Sequence, residues 1–367
     1  MNKEVVSDKQ GISLIVLFII GSSSVFIMGS EAKQDLWLAI ILAIFMALPM
    51  ALIYSRLHSI FPDKDLYDII EICFGKFIGK IIIIILTCFL FYWCSDVTNN
   101  YGNFIFSVSL KETPMIIPMM FLLILCGWGA KQGIEVLGRW SDFFLIIPVV
   151  VLFILAISAI SRMNINNIFP IFGSGFSSIF EGALNSLSFP FSQILAFSIV
   201  FSCFNKEKQS PYKIYVTGLI VGGIILFLVS LISLLVLGVD SSGRRYYAAY
   251  TAVSLINIGT LLNSIEVIIS TTFLLGGFIK IGVLLLCVCK GIMKIFNFSD
   301  YRFIITPITL LAINLSFFQY ENVMHYYEFQ TDIWLYFVSP FQVFLPIIIW
   351  LIAEIKNKNS KHEFKKR

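Results

Sequence analysis

Two short segments of the sequence hold residues that could open a polar site inside an otherwise apolar protein. The first comprises Gly21, Ser22, Ser23 and Ser24, and the second comprises Ser188, Phe189, Pro190, Phe191 and Ser192, followed by Gln193. Glycine, serine and proline weaken a helix, and a membrane helix that breaks there frees backbone amides and carbonyls for a ligand. The end of a half-helix can also attract a carboxylate through its dipole. The two segments therefore predict a site that suits a zwitterionic amino acid.

Polar residues also recur along the third apolar run in a helical pattern. Asp96, Asn99 and Asn103 follow Tyr92 at spacings of three and four residues, which places all four on one face of a helix. Polar groups are costly in hydrocarbon, so we expect this face to line a cavity rather than contact lipid. The alternative is that this part of the helix lies at the level of the lipid headgroups.

The eighth apolar run carries two ionisable residues, Glu266 and Lys280. At a rise of about 1.5 Å per residue they lie about 21 Å apart on a helix, so each needs its own partner. We expect Lys280 to be buried toward a water-filled inner cavity and paired with polar groups of neighbouring helices, with snorkelling to the membrane surface as the alternative. Glu266 is either functional or an interfacial charge. Ser270 and Thr271 are the candidates for contact with a ligand or a coupling ion.

The elements that must position these residues are membrane spans. The sequence is 58% hydrophobic and 13% charged, with a mean hydropathy of +0.89, which is typical of an integral membrane protein. Ten apolar runs are long enough to cross about 30 Å of hydrocarbon. They cover residues 12–29, 36–56, 78–106, 115–130, 143–161, 176–204, 214–238, 260–290, 303–319 and 334–355.

The two polar interruptions fall in the first and sixth of these ten spans. Paired interruptions at corresponding positions predict an inverted repeat of five plus five spans with a binding site between the halves. We expect one membrane domain over residues 1–367, with a first repeat at about 12–161, a second at about 176–355 and a basic tail at 356–367. The alternative for either interruption alone is close helix packing by small residues.

Basic residues predict the orientation. With the N-terminus inside, about 20 lysines and arginines lie in cytoplasmic segments and about 5 outside, which places both termini in the cytoplasm. The net charge of +4 then reflects topology, so no nucleic-acid partner is expected. The basic tail is expected to lie against anionic lipid headgroups.

No motif for catalysis or for a cofactor stands out. The seven cysteines lie within predicted spans or on the cytoplasmic side, and the three histidines are far apart in the sequence. A glycine-rich phosphate loop, a zinc-binding pair and a nucleophile elbow are all missing from the sequence. We therefore expect a protein that is not an enzyme and that has no metal or cofactor site.

Several short motifs, taken in order, resemble one known family. They are Ala32–Ala39, Phe61-Pro62, Phe74–Gly79, Glu112-Thr113-Pro114, Gly133-Ile134-Glu135, Gly138–Asp142, Phe169-Pro170 and Phe189-Pro190-Phe191. Their order and spacing resemble the B subunits of spore germinant receptors. These subunits form the endospore germination permease family of the amino acid/polyamine/organocation transporter superfamily. The chain departs from the family where a glutamate often follows the sixth-span break, since Gln193 stands here.

The resemblance implies a ten-helix fold of the leucine-transporter type in the inner membrane of the spore. It implies a subunit that binds a nutrient germinant, such as an amino acid, and acts with an A subunit and a lipoprotein C subunit. The alternatives are a secondary amino-acid transporter with a coupled cation, and a scaffold subunit that binds no nutrient. The cytoplasmic connectors 63–80 and 131–142, with Glu135 and Arg139, are the expected docking surfaces for the A subunit. The alternative is that their charges only set the orientation of the spans.

Overall fold

The computed structural model describes residues 6–201, 210–243, 245–255 and 265–365 of the chain, and all regular structure in them is helical. The first half contains α1 (Asp8–Gly21), α2 (Leu36–Ile60), α3 (Leu66–Val108), α4 (Ile116–Gln132), α5 (Ile134–Phe144) and α6 (Ile146–Ala159). A 3-10 helix at Ser30–Asp35 precedes α2. We call the side on which α1 begins the inner side, following the predicted topology, and the opposite side the outer side.

The second half contains more and shorter helices. They are α7 (Phe176–Ser188), α8 (Leu195–Val200), α9 (Pro211–Leu237), α10 (Val239–Gly243), α11 (Ala248–Ser254), α12 (Ile265–Phe296), α13 (Arg302–Phe318), α14 (Val323–Glu328), α15 (Trp334–Ser339) and α16 (Leu345–Lys365). A 3-10 turn at Phe191–Ile194 joins α7 to α8. Two π-helical turns, Phe329–Ile333 and Pro340–Phe344, interrupt the last span.

Helix lengths and composition account for the ten predicted spans. Within the described ranges, seven helical segments are long and apolar enough to cross a membrane: Ser30–Ile60, Leu66–Val108, Ile134–Ala159, Phe176–Val200, Pro211–Leu237, Ile269–Phe296 and Val323–Lys358. The helices α4 and α13 are shorter apolar helices of 17 residues each. The helical part of the first predicted span is α1. The chain is an all-helical polytopic membrane protein.

The first span is broken more completely than the sequence predicts. A helix was expected over residues 12–29, but α1 ends at Gly21 and residues 22–29 are irregular. The hydroxyl of Ser23 donates to the Ile19 carbonyl at 2.9 Å, and the Tyr101 hydroxyl donates to the Gly21 carbonyl at 2.7 Å. These side chains satisfy carbonyls at the helix end, so the helix can stop there without unpaired acceptors.

The sixth span breaks at the predicted place. After Ser188 the backbone of Phe189 is extended, with φ −144° and ψ 110°. Pro190 follows and has no amide hydrogen to donate, so the helical ladder cannot continue through it. The chain then resumes through the 3-10 turn into α8.

The broken spans lie in the centre of the bundle. In the most apolar stretch of the span Phe176–Val200, 83% of residues are buried, and the same fraction holds for Ile269–Phe296. By contrast only 22% are buried in the corresponding stretch of Ile134–Ala159. Peripheral helices instead expose large apolar side chains such as Phe121 and Phe153, as lipid-facing surfaces do. The site between α1, α7, α8 and α12 is therefore shielded by the remaining spans.

Candidate functional site

A cavity of about 200 Å³ lies on the outer side of the two breaks. Its wall is formed by residues 26–31 after α1, by Asn100 of α3, by the end of α7 with Ser188 and Phe189, by residues near α11, and by Trp334 with the turn before it. A single water needs only about 10–15 Å³ of such space, so this cavity can hold a small solute.

Within the described ranges, four residues of the cavity wall have a buried polar atom without a hydrogen-bond partner. The atoms are Glu31 Oε2, Asn100 Oδ1, Ser186 Oγ and Trp334 Nε1. The other carboxylate oxygen of Glu31 is held in place, because it accepts a hydrogen bond from Asn185 Nδ2 at 2.8 Å. Folded proteins pair nearly all buried polar groups, so four such residues around one cavity favour it as the place for a polar solute.

Opposite charges lie on the wall of this cavity. Glu31 contributes a carboxylate, and exposed Arg245 contributes a guanidinium. Glu31 and Asn100 offer acceptors to an ammonium group, whereas Trp334 and Arg245 offer N–H donors to a carboxylate. The wall therefore carries complementary groups for both ends of a zwitterion.

The floor of the cavity separates it from a buried lysine. The Phe189 ring lines the cavity and also lies 5.2 Å from Lys280 Nζ. Lys280 is fully buried, and its ammonium donates to Ser22 Oγ and to Gln193 Oε1 at 2.5 Å each. The two breaks thus meet at the lysine, which does not snorkel to either surface.

The four residues of the first break, Gly21 to Ser24, do not line the cavity of about 200 Å³. Gly21 packs against the backbone of Gly276 in α12, and a Cβ added at Gly21 would lie 2.6 Å from the Gly276 carbonyl carbon. Ser24 lies beside a separate apolar cavity of about 20 Å³. Of this predicted segment, Ser22 alone bonds to Lys280, while Gly21 permits the close approach of two helices.

The polar face of α3 points mainly toward α13 and the last span. Asp96 accepts hydrogen bonds from the Tyr320 hydroxyl at 2.7 Å and from Gln330 Nε2 at 2.8 Å. Asn99 donates to the Ser316 carbonyl at 2.8 Å, and Asn103 donates to Asn99 Oδ1 at 2.7 Å. These predicted residues are therefore bonded within the protein, and their neighbour Asn100 reaches the cavity instead.

Tyr320 lies in the loop between α13 and α14. Burial raises its pKa, and the charge of Asp96 raises it further. The hydroxyl therefore stays protonated and donates to the carboxylate. A permanent donor here fixes Asp96, which in turn accepts from Gln330 on the cavity wall.

The two π-helical turns supply residues that sequence reasoning missed. Gln330 comes from the first turn, and Gln342 of the second accepts a hydrogen bond from Ser192 Oγ at 2.5 Å. Glu31 and Trp334 were also missed. The available signal was the presence of amide side chains and Pro340 within a long apolar run, because proline interrupts the helical hydrogen-bond ladder. Turns of the π type are frequent at functional sites.

The other candidates lie away from the cavity. Thr271 is exposed and donates to the Val267 carbonyl at 2.8 Å, and Ser270 is half-buried on the same helix. The side chain of Glu266 lies outside the described residues. Glu135 and Arg139 form an exposed ion pair with each other at 2.5 Å.

On the inner side, bonded side chains join α12 to α3 and to α8. Lys294 of α12 pairs with Asp68 and with Glu71 at 2.7 Å each. Nearby, Lys290 donates to the Val200 carbonyl at 3.1 Å, at the end of α8. The segment before the membrane part of α3 thus docks against α12, and Gly75, at a φ of 79°, makes the bend that allows it.

A family model described as "Spore germination protein" matches residues 5–324. The chain belongs to this family. Spore germination protein KB of Bacillus subtilis (strain 168) is 23% identical over 98% of both chains. Spore germination protein XB of Bacillus anthracis is 20% identical over 95% of this chain and 98% of that protein.

Solved structures show that members of other transporter families share the fold. Mhp1, a nucleobase-cation-symport-1 family transporter in a closed conformation with bromovinylhydantoin bound, superposes with a TM-score of 0.64. It is 11% identical and is matched over 95% of this chain and 80% of its own. A manganese transporter mutant of Eremococcus coleocola gives a TM-score of 0.62 at 12% identity, over 95% and 84%. This member of the family therefore has the five-plus-five fold of the leucine-transporter type, with broken spans 1 and 6.

Proposed function

We propose that this chain is the nutrient-binding subunit of a spore germinant receptor and that it binds an amino acid in the outer cavity. The observation that carries the proposal is that four residues of the cavity wall have buried polar atoms with no partner in the described part of the chain. The wall offers acceptors near Glu31 and donors near Trp334 and Arg245, which matches the two charged ends of an amino acid.

Binding would act by shifting a conformational equilibrium. A ligand can do so only if it binds one conformation more tightly than another. The cavity wall joins residues of the broken spans 1 and 6 to residues of spans 3 and 10, so a ligand there would draw these spans together. Phe189 on the cavity floor would carry this movement toward Ser22, Gln193 and Lys280.

The setting of the subunit is part of the proposal. We place it in the inner membrane of the spore with both termini in the cytoplasm, beside an A subunit and a lipoprotein C subunit. Closed helical bundles with little mass outside the membrane have few surfaces from which to signal alone, so a partner would relay the change.

Two measurements test the proposal against its alternatives. Binding of an amino-acid panel to the purified subunit in lipid nanodiscs separates a nutrient receptor from a scaffold, since a scaffold binds none of them. Uptake of the radiolabelled ligand into proteoliposomes separates a receptor from a secondary transporter. The proposal predicts saturable binding without concentrative uptake. A subunit that binds no member of a panel to which the intact spores respond would contradict it.

A further inference from the structure

The ammonium group of Lys280 occupies a position with unusual chemistry. It lies at the C-terminal end of the half-helix α1, where it donates to Ser22, the first residue after the helix. The C-terminal end of a helix carries a partial negative charge that favours a cation. In transporters built from broken helices, such ends and the unwound carbonyls beside them coordinate a coupling cation.

The backbone carbonyls at this helix end already accept hydrogen bonds. The carbonyl of Ile19 accepts from Ser23 Oγ, that of Ile20 accepts from the Ser24 amide at 2.9 Å, and that of Gly21 accepts from Tyr101. Each of these carbonyls keeps a second lone pair. In this structure, however, the oxygens that hold the positive charge are the side-chain atoms Ser22 Oγ and Gln193 Oε1.

The lysine is stabilised without a carboxylate in contact. In the described part of the chain its hydrogen-bond partners, Ser22 and Gln193, are both uncharged. Three aromatic rings surround the rest of the ammonium, with Phe18, Phe189 and Trp93 at 5.0, 5.2 and 5.9 Å. Ring faces within about 6 Å attract a cation. Two acceptors, three rings and a helix end together form a cation site, and Lys280 fills it.

We infer that the Lys280 ammonium is a built-in replacement for an exchangeable coupling cation. It links span 8 to both broken spans, so the central cation of the bundle is part of the chain itself. The protein then needs neither sodium nor another small cation to assemble its centre or to bind its ligand. This inference does not depend on which nutrient binds, or on whether one does.

Thermal unfolding of the purified full chain in nanodiscs tests the inference, in sodium, lithium and choline chloride at equal ionic strength. The wild type should have the same Tm in all three salts. Lys280→Ala should lower the Tm in choline by at least about 3 °C, because it leaves Ser22 and Gln193 without their donor. Sodium or methylammonium should restore at least half of that loss, because either ion fits the space that alanine leaves.

Lys280→Met is the matched control, since its uncharged chain fills the same space. Its Tm should be lowered equally in every salt, with no recovery. A wild-type Tm that rises specifically with sodium or lithium would overturn the inference, as would a Lys280→Ala protein that no cation restores. If neither variant folds, the wild-type comparison still decides. No nutrient is present, so a failure of the proposed function would leave this result unaffected.

Discussion

The outer and inner halves of the bundle differ in how their polar groups are paired. On the outer side, four residues of one cavity wall have buried polar atoms without a partner among the described residues. On the inner side, Lys294 bridges Asp68 and Glu71, and Lys290 bonds to the end of α8. Both halves surround the same two broken spans. The difference favours the outer side over the inner side as the place where a ligand would enter.

The comparison also separates two kinds of residue within the breaks. Gly21 contacts backbone and permits close packing, whereas Ser188 lies on the cavity wall. Both occur in segments that the sequence predicts to bind ligand. Substitutions should therefore distinguish residues that build the centre from those that face the ligand, and each prediction below uses that distinction.

The largest effect on the protein level and on the nutrient response is expected from bulky side chains introduced at the two breaks. Gly21→Leu would force a side chain into the Gly276 backbone, so little folded protein should remain in the membrane. Ser188→Leu would fill cavity space instead, so the protein should be present at the normal level and respond weakly to nutrient. Immunoblots of spore membranes and germination curves measure both. Equal protein levels for both variants would contradict the assignment of Gly21 to packing.

Removing the negative charge of Glu31 from the cavity wall should have the next largest effect, a loss of ligand affinity. Glu31→Gln keeps the side-chain shape but loses a charge-assisted bond to an ammonium group, so affinity should fall about 30-fold. Glu112→Gln is the matched control, because Glu112 is exposed in the loop between α3 and α4. Titration of the nanodisc-embedded subunit measures both. Equal affinities of the two variants would exclude Glu31 from the site.

A smaller loss should follow from removal of one neutral donor. Trp334→Phe keeps an aromatic ring but removes the unpaired indole N–H, which should weaken binding about fivefold. Trp37→Phe offers a comparison, since Trp37 Nε1 is also buried and unpaired but is not on the cavity wall. If both changes weaken binding equally, the effect comes from packing rather than from a contact with ligand.

On the inner side we expect a substitution to increase germination rather than to weaken the response to nutrient. Lys294→Met removes two partly exposed ion pairs, worth about 1 kcal/mol together, and so should favour opening on that side. Germination without nutrient should rise up to about fivefold. Lys76→Met, at an exposed lysine of α3, should leave the spontaneous rate unchanged. A Lys294→Met strain with normal spontaneous germination would show that this network does not hold the inner side shut.

The smallest effect on stability is expected at the exposed ion pair. Exchanging the partners, Glu135→Arg with Arg139→Glu, preserves a pair one helical turn apart, so the change should stay below about 0.5 kcal/mol. The exchange nevertheless inverts the charge pattern presented to a partner. Co-purification of the A subunit should therefore fall if this connector is a docking surface. Undiminished recovery would place docking elsewhere.

Much of the fold follows from the sequence, because hydropathy marks spans and small residues mark breaks. The pattern also predicted the burial of Lys280 from the cost of a charge in lipid. The cavity wall could not be predicted in the same way. Glu31 lies beyond the first span, while Trp334 and Gln330 belong to the last, and only tertiary packing brings them together. The π turns that orient the last span change its helical phase, so no constant periodicity reveals them.

The polar face of α3 shows most clearly what residue spacing in the sequence cannot predict. Its spacing correctly places Asp96 and Asn99 on a single face, but cannot tell which neighbour that face meets. The structure satisfies these groups with Tyr320, Gln330 and Ser316, and leaves the adjacent Asn100 for the cavity. Periodicity determines a direction around the helix axis, and the packing of α13 determines what lies in that direction.

The most direct test of the proposed site is a structure of the subunit with its strongest amino-acid ligand bound. Our account predicts ligand density in the outer cavity, with the ammonium beside Glu31 and Asn100 and the carboxylate facing Trp334 and Arg245. The bonds from Lys280 to Ser22 and Gln193 should remain beneath the Phe189 ring. Density on the inner side of that ring, in contact with Lys280, would contradict the account.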